Sequence, residues 1–371
     1  MKIAVFGHKR IPSREGGVEI VVGELSSRMA ALGHEVTCYN RGGHHVSGAE
    51  FDETALTHWQ GVKLKTVPTL DKKGLAAVTS SFFAAFSCAF SRADVVHIHA
   101  EGPAFMCWLP KLLGKKVVVT VHGLDWQREK WKSGFGAKYI RWGEKMAIRF
   151  ADEIIVLSRN VQNYFKETYG RDTVRIPNGV TKPEIRQVQE IRARFGLEKD
   201  GYILFLGRLV PEKGVHYLLE AYRGLNTDKK LVIAGGASDT DAYVHQLKIL
   251  AAEDPNVIFT GFVQGEILEE LYSNAWVYVL PSDVEGMPLS LLEAMSYGNC
   301  CVVSDIPECA EVVEDQAAVF PRGDVAGLQN CLQHLCDHED VVAGHKQSAR
   351  DFICEKYNWD DVTERTLVRY Q

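Results

Sequence analysis

Trp276-Val277-Tyr278-Val279-Leu280-Pro281, followed directly by Ser282-Asp283-Val284-Glu285-Gly286-Met287-Pro288-Leu289-Ser290-Leu291-Leu292-Glu293, is the stretch whose reading decides the fold. The first run is short, apolar and rich in β-formers, so it reads as a buried strand. The second ends in helically spaced apolar residues and reads as a loop entering a helix. Strand, loop and helix in that order are the unit of a doubly wound parallel sheet, where ligands bind at the carboxyl ends of strands. The loop lies at such an end. Glu285 stands in it, and Glu293 follows about two helical turns further on. Gly286 and Pro288 shape the turn between them, and Pro288 suits a first helical position. The N–H groups of a helix start favour an anion, while carboxylates favour hydroxyls. The pair therefore suits a polyhydroxylated, anionic ligand. Spacing alone is weak, since a capped surface helix with solvated acids shows the same pattern.

Working outward, the same unit recurs. In the second half Tyr202–Leu206, Leu231–Ala234, Val257–Thr260, Val277–Leu280, Cys301–Ser304 and Ala318–Phe320 read as strands, each followed by a helix-like segment. In the first half Ile3–Phe6, Val36–Tyr39, Val62–Val67, Val95–Ile98, Val117–Val121 and Ile154–Leu157 do the same, and Gly33 closes the first helix. The expectation is an α/β chain of two doubly wound, Rossmann-like domains facing a central cleft. Ile176-Pro177-Asn178-Gly179-Val180-Thr181-Lys182-Pro183 reads as the linker between them. The expected division is residues 1–180, residues 181–356, and a last helix over 357–371 that returns to the first domain.

A chain of 371 residues, 46% hydrophobic and 24% charged, fits two soluble globular domains. Nine dispersed cysteines, without C-x-x-C spacing, point to a reducing cytoplasm. Met1 to Gly7 reads as a strand rather than a signal peptide. The apolar stretch Gly74–Phe90 contains Thr79, Ser80, Ser81 and Ser87. It reads as a buried helix rather than a membrane span, with a membrane-surface role as the alternative. Charge is uneven. Residues 1–180 carry 25 Lys+Arg against 17 Asp+Glu, a balance of +8, and the remainder carries 17 against 31, a balance of −14. A basic first half suits an anionic membrane surface or an anionic lipid-linked substrate, or it simply helps the halves approach each other. No dense basic stripe with interleaved aromatics is present, which disfavours nucleic acid.

Several groups fall at strand ends. Leu206-Gly207-Arg208-Leu209-Val210-Pro211-Glu212-Lys213-Gly214 places Arg208 after a strand and Lys213 just before a helix. Both can neutralise a diphosphate, Arg as a planar fork and Lys as a point charge, although an ordinary loop with two solvated cations looks alike. The opening loop, Gly7 to Gly17, is not a G-x-G-x-x-G fingerprint, so nicotinamide binding is poorly supported. Its paired glycines suit close backbone approach to a phosphate or a flexible turn. His122 follows the strand Val117–Val121 and precedes Gly123-Leu124-Asp125-Trp126, a place suited to substrate contact, although a lone His is by default a core residue. His97 and His99 share one strand face, but no third ligand has metal spacing. Asp239-Thr240-Asp241 reads as a helix cap rather than a metal–nucleotide site.

Together these motifs resemble the GT-B family-4 retaining glycosyltransferases along essentially the whole chain. The most specific part is the Glu-x7-Glu loop combined with Gly-Arg-x4-Lys-Gly. The resemblance implies that Arg208 and Lys213 hold a donor diphosphate, and that Glu285 contacts the transferred sugar with the backbone of Gly286, Met287, Pro288 and Leu289. It implies that Glu293 binds the ribose and that Phe262 and Val263 receive the base. Gly17 is similar to a glycine that approaches the diphosphate, and His122 to a histidine near the reacting centre. The segments Gly16–Glu19 and His122–Trp131 look like a bacterial rhamnosyltransferase subgroup of capsule and exopolysaccharide synthesis. There Arg10, Arg14, Asp125 and Trp126 fall on the acceptor side. The implied enzyme transfers a sugar from a nucleoside diphosphate sugar to a glycan or prenyl-diphosphate-linked acceptor with retention. It needs no metal or other cofactor. It works in the cytoplasm, with peripheral contact at the inner membrane face as an option. A nucleotide-sugar epimerase and a non-catalytic sugar-nucleotide-binding protein are the rival readings.

Overall fold

The computed structural model describes residues 1–43, 56–70, 72, 75–127, 135–237, 240–251 and 254–371. Gly74, Arg128 to Trp131 and Asp239 lie outside the described residues. The chain forms two compact units. One comprises Met1–Asn178 with Trp359–Gln371, and the other Gly179–Asn358.

Unit 1 runs β1 (Lys2–Phe6), α1 (Gly17–Ala31), β2 (Glu35–Arg41), β3 (His58–Trp59), β4 (Val62–Val67), α2 (Leu75–Ala89) and β5 (Val95–His99). It continues α3 (Glu101–Ala104), α4 (Trp108–Leu112), β6 (Lys116–Val121), α5 (Phe135–Phe150), β7 (Glu153–Val156), α6 (Arg159–Tyr169) and β8 (Val174–Arg175). Among the described residues its sheet has the order β3-β4-β2-β1-β5-β6-β7-β8, parallel except for β3, which pairs antiparallel to β4. The short edge strands β3 and β8 escape a reading by apolar runs, because two residues show no periodicity. The central strands β5 and β6 are buried on both faces, so Val95, Val96, Val117, Val118 and Val119 are almost fully out of solvent.

The α2 segment corrects an expectation. It is not buried all round. Ala76, Ser80, Ser81, Ala84, Ala85 and Cys88 form the buried stripe, at helical spacing, while Phe82, Phe83, Phe86 and Phe90 are exposed. Small residues let the helix lie close to the sheet. That leaves the large rings on the outer side.

Unit 2 runs α7 (Glu190–Phe195), β9 (Tyr202–Leu206), α8 (Val215–Arg223), β10 (Lys230–Ala234), α9 (Asp241–Ala251), β11 (Val257–Gly261), α10 (Glu266–Asn274) and β12 (Val277–Leu280). It closes with α11 (Leu289–Ser296), β13 (Cys300–Ser304), α12 (Pro307–Val313), β14 (Ala318–Phe320), α13 (Val325–Asp337) and α14 (Glu339–Lys356). Among the described residues the sheet order is β11-β10-β9-β12-β13-β14, parallel in every pairing. Strand order reverses between β9 and β12, the switch point where doubly wound sheets open a crevice.

The division differs slightly from 180/181 and 356/357. Val180 N donates to Tyr357 O at 2.7 Å, and Val180 bridges to Asn358, so these residues stay with unit 2. The last helix, α15 (Trp359–Val368), then packs on α1. Arg28 Nε meets Asp360 Oδ1 at 2.9 Å, and Arg365 Nη2 donates to Arg175 O at 2.6 Å.

Candidate active site

In unit 2 the loops after β9, β10, β11 and β12 meet at the carboxyl end of the sheet. Glycines permit this. A Cβ on Gly235, at φ +144°, would fall 1.8 Å from Gly207 O, so the loops after β9 and β10 touch backbone to backbone. A Cβ on Gly214, at φ +66°, would fall 2.0 Å from Pro281 O. Gly214 thus lets the 3-10 turn Pro211–Lys213 settle against the end of β12, where Asp283 N donates to Glu212 O at 2.8 Å.

That packing brings two expected site residues together. Lys213 Nζ lies 2.5 Å from Glu285 Oε1, with both side chains largely buried. Ser282 Oγ donates to the same oxygen at 2.6 Å, and Ser304 Oγ donates to Ser282 O at 2.5 Å. The carboxylate is therefore fixed from two sides, by a cation and by a hydroxyl anchored to β13. Arg208 follows β9 and Gly207 directly, at the same sheet end. Glu293 sits within α11, where its Oε2 accepts from Tyr272 OH at 3.2 Å. Phe262 and Val263 follow β11, and the Phe262 Cβ comes 3.7 Å from the place a Cβ on Gly236 would occupy. Gly286, Met287 and Pro288 form the turn into α11.

Pro288 needs a correction. It is the N-cap of α11 in extended backbone, and Leu289 is the first helical residue. The bond from Leu292 N to Pro288 O, at 3.2 Å, begins the helix one residue later than the proline signal suggested. The Asp239–Asp241 string fares differently. Asp239 lies outside the described residues, and Thr240 donates through Oγ1 to Leu209 O at 2.7 Å.

In unit 1 the carboxyl ends of β1, β5 and β6 carry the candidates. Gly7, at φ +109°, passes so close to β5 that a Cβ would lie 2.0 Å from His99 O. The opening loop is tied down by Asn40, whose Oδ1 lies 2.9 Å from His8 Nε2 and accepts from Ile11 N. Glu19 Oε1 accepts from Lys9 N at 2.8 Å. Gly17 is the exposed first residue of α1, and Arg10 and Arg14 lie in the loop before it, Arg14 exposed. His122 follows β6 and is 9% exposed. Its Nε2 lies 2.9 Å from His99 Nδ1, with the rings stacked. Burial, with His97 and His122 nearby, holds His99 well below the usual imidazole range, so it stays neutral. His97 contacts Tyr370 OH at 2.6 Å and Thr120 Oγ1 at 2.7 Å, and burial lowers its pKa to about 3. Among the described residues no group of three or more His, Cys, Asp or Glu is arranged to hold a metal ion.

Asp125 and Trp126 form the 3-10 turn Asp125–Gln127. Asp125 N donates to Glu101 Oε2 at 2.9 Å. Trp126 packs against the core beneath the Arg141 guanidinium, 4.6 Å from its ring. The supports His99, Glu101, Ser282 and Ser304 were not among the expected site residues. His99 and Ser304 end strands, a position the strand-end rule could have flagged; Glu101 gives no such local signal.

The chain as a whole resembles known proteins. Residues 15–182 match the family model for Glycosyltransferase Family 4, and residues 187–359 that for Glycosyl transferases group 1. The chain is a family-4-type glycosyltransferase with the GT-B fold. It is 25% identical to an uncharacterized glycosyltransferase of Methanocaldococcus jannaschii, over 100% of this chain and 98% of that protein. The glycosyltransferase is similar in fold to sucrose-phosphate synthase from Thermosynechococcus elongatus, with TM-score 0.84, 21% identity, and 100% and 98% of the two chains covered. It also superposes on Anabaena HepE in complex with UDP and glucose, with TM-score 0.79, 18% identity, and 99% and 98% covered. No helix among the described residues is long and apolar enough to cross a membrane.

Proposed function

We propose that this glycosyltransferase moves a sugar, with retention, from a nucleoside diphosphate sugar to a glycan or prenyl-diphosphate-linked acceptor in bacterial capsule or exopolysaccharide synthesis. Rhamnose is the sugar favoured by the subgroup resemblance. The observation that carries the donor reading is the Lys213–Glu285 pair at the strand ends of unit 2. A sugar diphosphate needs a cation for phosphate and an acceptor for sugar hydroxyls, side by side, and this pair offers both. Arg208 adds a second cation, Glu293 a carboxylate for ribose hydroxyls, and Phe262–Val263 a surface for the base. The Anabaena neighbour holding UDP and glucose supports the same donor class.

Transfer breaks the bond between the anomeric carbon and the diphosphate oxygen. Arg208, Lys213 and the N–H groups at the start of α11 offset the charge that grows on the leaving group. The acceptor hydroxyl attacks on the face the diphosphate leaves, and the leaving phosphate takes its proton. For unit 1 the proposed roles are His122 beside the reacting centre, Gly17 toward a phosphate, and Arg10, Arg14 and Asp125 toward the acceptor. Trp126 is assigned to the packing of the same turn. The protein is proposed to act in the cytoplasm, with its acceptor at the membrane face.

A thermal-shift panel of nucleoside diphosphates and their sugars, followed by turnover with short-chain prenyl-diphosphate-linked monosaccharides, tests the reading. A ligand held only by the native state raises the melting temperature. Selective stabilisation by one sugar nucleotide and transfer to acceptor are expected. Stabilisation with sugar interconversion and no transfer would favour an epimerase, and binding without any turnover a non-catalytic binder.

A further inference from the structure

The corner between β5 and α3 holds two carboxyls that the donor chemistry does not use. Glu101 and Glu144 are both fully removed from solvent. Glu101 Oε2 accepts from Asp125 N, and Glu144 Oε1 accepts from Tyr164 OH at 2.8 Å. The remaining oxygens, Glu101 Oε1 and Glu144 Oε2, are buried and receive no other donor. The helices that carry them, α3 and α5, pack together at this point. Gly143 makes the contact possible, because a Cβ there would fall 1.9 Å from Glu101 O. Two ionised carboxylates do not persist face to face in a buried site, whereas one proton between them converts repulsion into a strong bond.

We infer that Glu101 and Glu144 share one proton and, as positioning residues, fix the Asp125–Gln127 turn that follows His122. The pair then carries one negative charge. Glu101 donates to Glu144 while still accepting from Asp125 N, and Tyr164 supplies the second bond to Glu144. Burial, then Asp125 and Glu144, push the Glu101 carboxyl well above its ordinary 4.5, in agreement with this geometry. The titratable groups around the pair are Asp125 on the turn, Tyr139 on α5, and Tyr164 and Tyr169 on α6, with the Arg141 cation over Trp126. Burial raises the pKa of each of these tyrosines as well. His99 closes the corner by holding His122, so the end of β5 supports two points of the segment after β6. The effect on transfer rests on the proposed acceptor role of that turn. The shared proton does not.

Two measurements test the proton without any ligand. The native pair keeps a proton that the unfolded chain releases above about pH 4.5, so its contribution to stability falls as pH rises from there to the folded value. In Glu144→Gln the amide donates the bond, so Glu101 ionises at a lower pH than in wild type. The melting temperature of wild type relative to Glu144→Gln should therefore fall with rising pH. Hydrogen exchange of residues 122–127, corrected for intrinsic rate, should lose protection at alkaline pH in wild type but not in Glu144→Gln or Glu101→Gln. Parallel pH profiles for wild type and both glutamine variants would overturn the shared proton. For transfer, with short-chain prenyl-diphosphate glucose as probe acceptor, wild type should lose kcat/KM at alkaline pH by about tenfold, one hydrogen bond's worth, and Glu144→Gln should not. An alkaline loss equal in both enzymes overturns the positioning role. No turnover with the probe, beside the expected stability and exchange profiles, would count against the acceptor reading alone.

Discussion

At the scale of single residues, unit 2 sets Lys213 against Glu285, and the proposed donor diphosphate would meet such fixed charge instead of an added ion. Arg208→Ala and Lys213→Ala should each lower turnover at least about tenfold, because lost bonds to a developing phosphate charge cost about 2–4 kcal/mol. Steady-state kinetics beside an unchanged circular-dichroism spectrum checks this, and near-normal rates in both variants would reject the assignment. The two glutamates should separate. Glu293→Gln, at the proposed ribose contact, should weaken binding of free nucleoside diphosphate in calorimetry. Glu285→Gln should spare that affinity and depress sugar transfer. Equal losses of nucleotide affinity would contradict the split. The fixed cations also predict that activity survives EDTA; a complete loss restored by magnesium or manganese would refute that.

At the scale of elements, the site depends on close backbone approaches that only glycine allows. Gly214→Ala combines a left-handed backbone, costing about 1–2 kcal/mol, with a Cβ driven into Pro281 O. The expected outcome is a lower melting temperature and a loss of turnover together, because the turn bearing Lys213 must lift off β12. A variant of normal stability and rate would show that the contact is dispensable. The sequence carried the alternation of strands and helices plainly, since each short apolar run read as a strand lies in a parallel sheet. It also put Arg208 after a strand, Lys213 before a helix and Glu285 in a loop at the same end of the sheet, and the chain follows that order, with Lys213 meeting Glu285. Other features depend on tertiary partners. The edge strands β3 and β8 are too short for periodicity. Pro288 marks the start of α11 but caps it. Phe82 to Phe90 looked like core because hydrophobicity alone does not say which face of a helix the sheet takes. Glu101 and Glu144 meet only because α5 crosses α3 at Gly143, and no local pattern announces that crossing.

At the scale of the whole molecule, the charge is divided between the two halves, +8 over residues 1–180 and −14 over the rest. Within unit 1 the basic groups do not spread evenly. The exposed residues of α5 are Lys138, Arg141, Trp142, Lys145 and Arg149, and its one acid, Glu144, is buried. α5 packs on α3 and α4, α4 packs on α2, and α2, without a single charge, turns Phe82, Phe83 and Phe86 outward, with Phe90 exposed just past its end. Rings beside cations are the two ingredients of attachment to an anionic bilayer. Apolar groups enter the headgroup boundary, and each well-placed Lys or Arg adds about 1 kcal/mol, an attraction that salt screens. A prenyl-diphosphate acceptor lies in such a surface, so attachment would bring enzyme and acceptor together. Liposome flotation should show binding to anionic vesicles at low salt, weaker binding at high salt, and little to neutral vesicles. Phe86→Ser with Phe90→Ser should reduce it with no loss of melting temperature, since both rings already face solvent. Absence of binding to anionic vesicles at low salt, with full activity on a soluble sugar acceptor, would refute the lipid-linked acceptor and leave the glycosyltransferase standing.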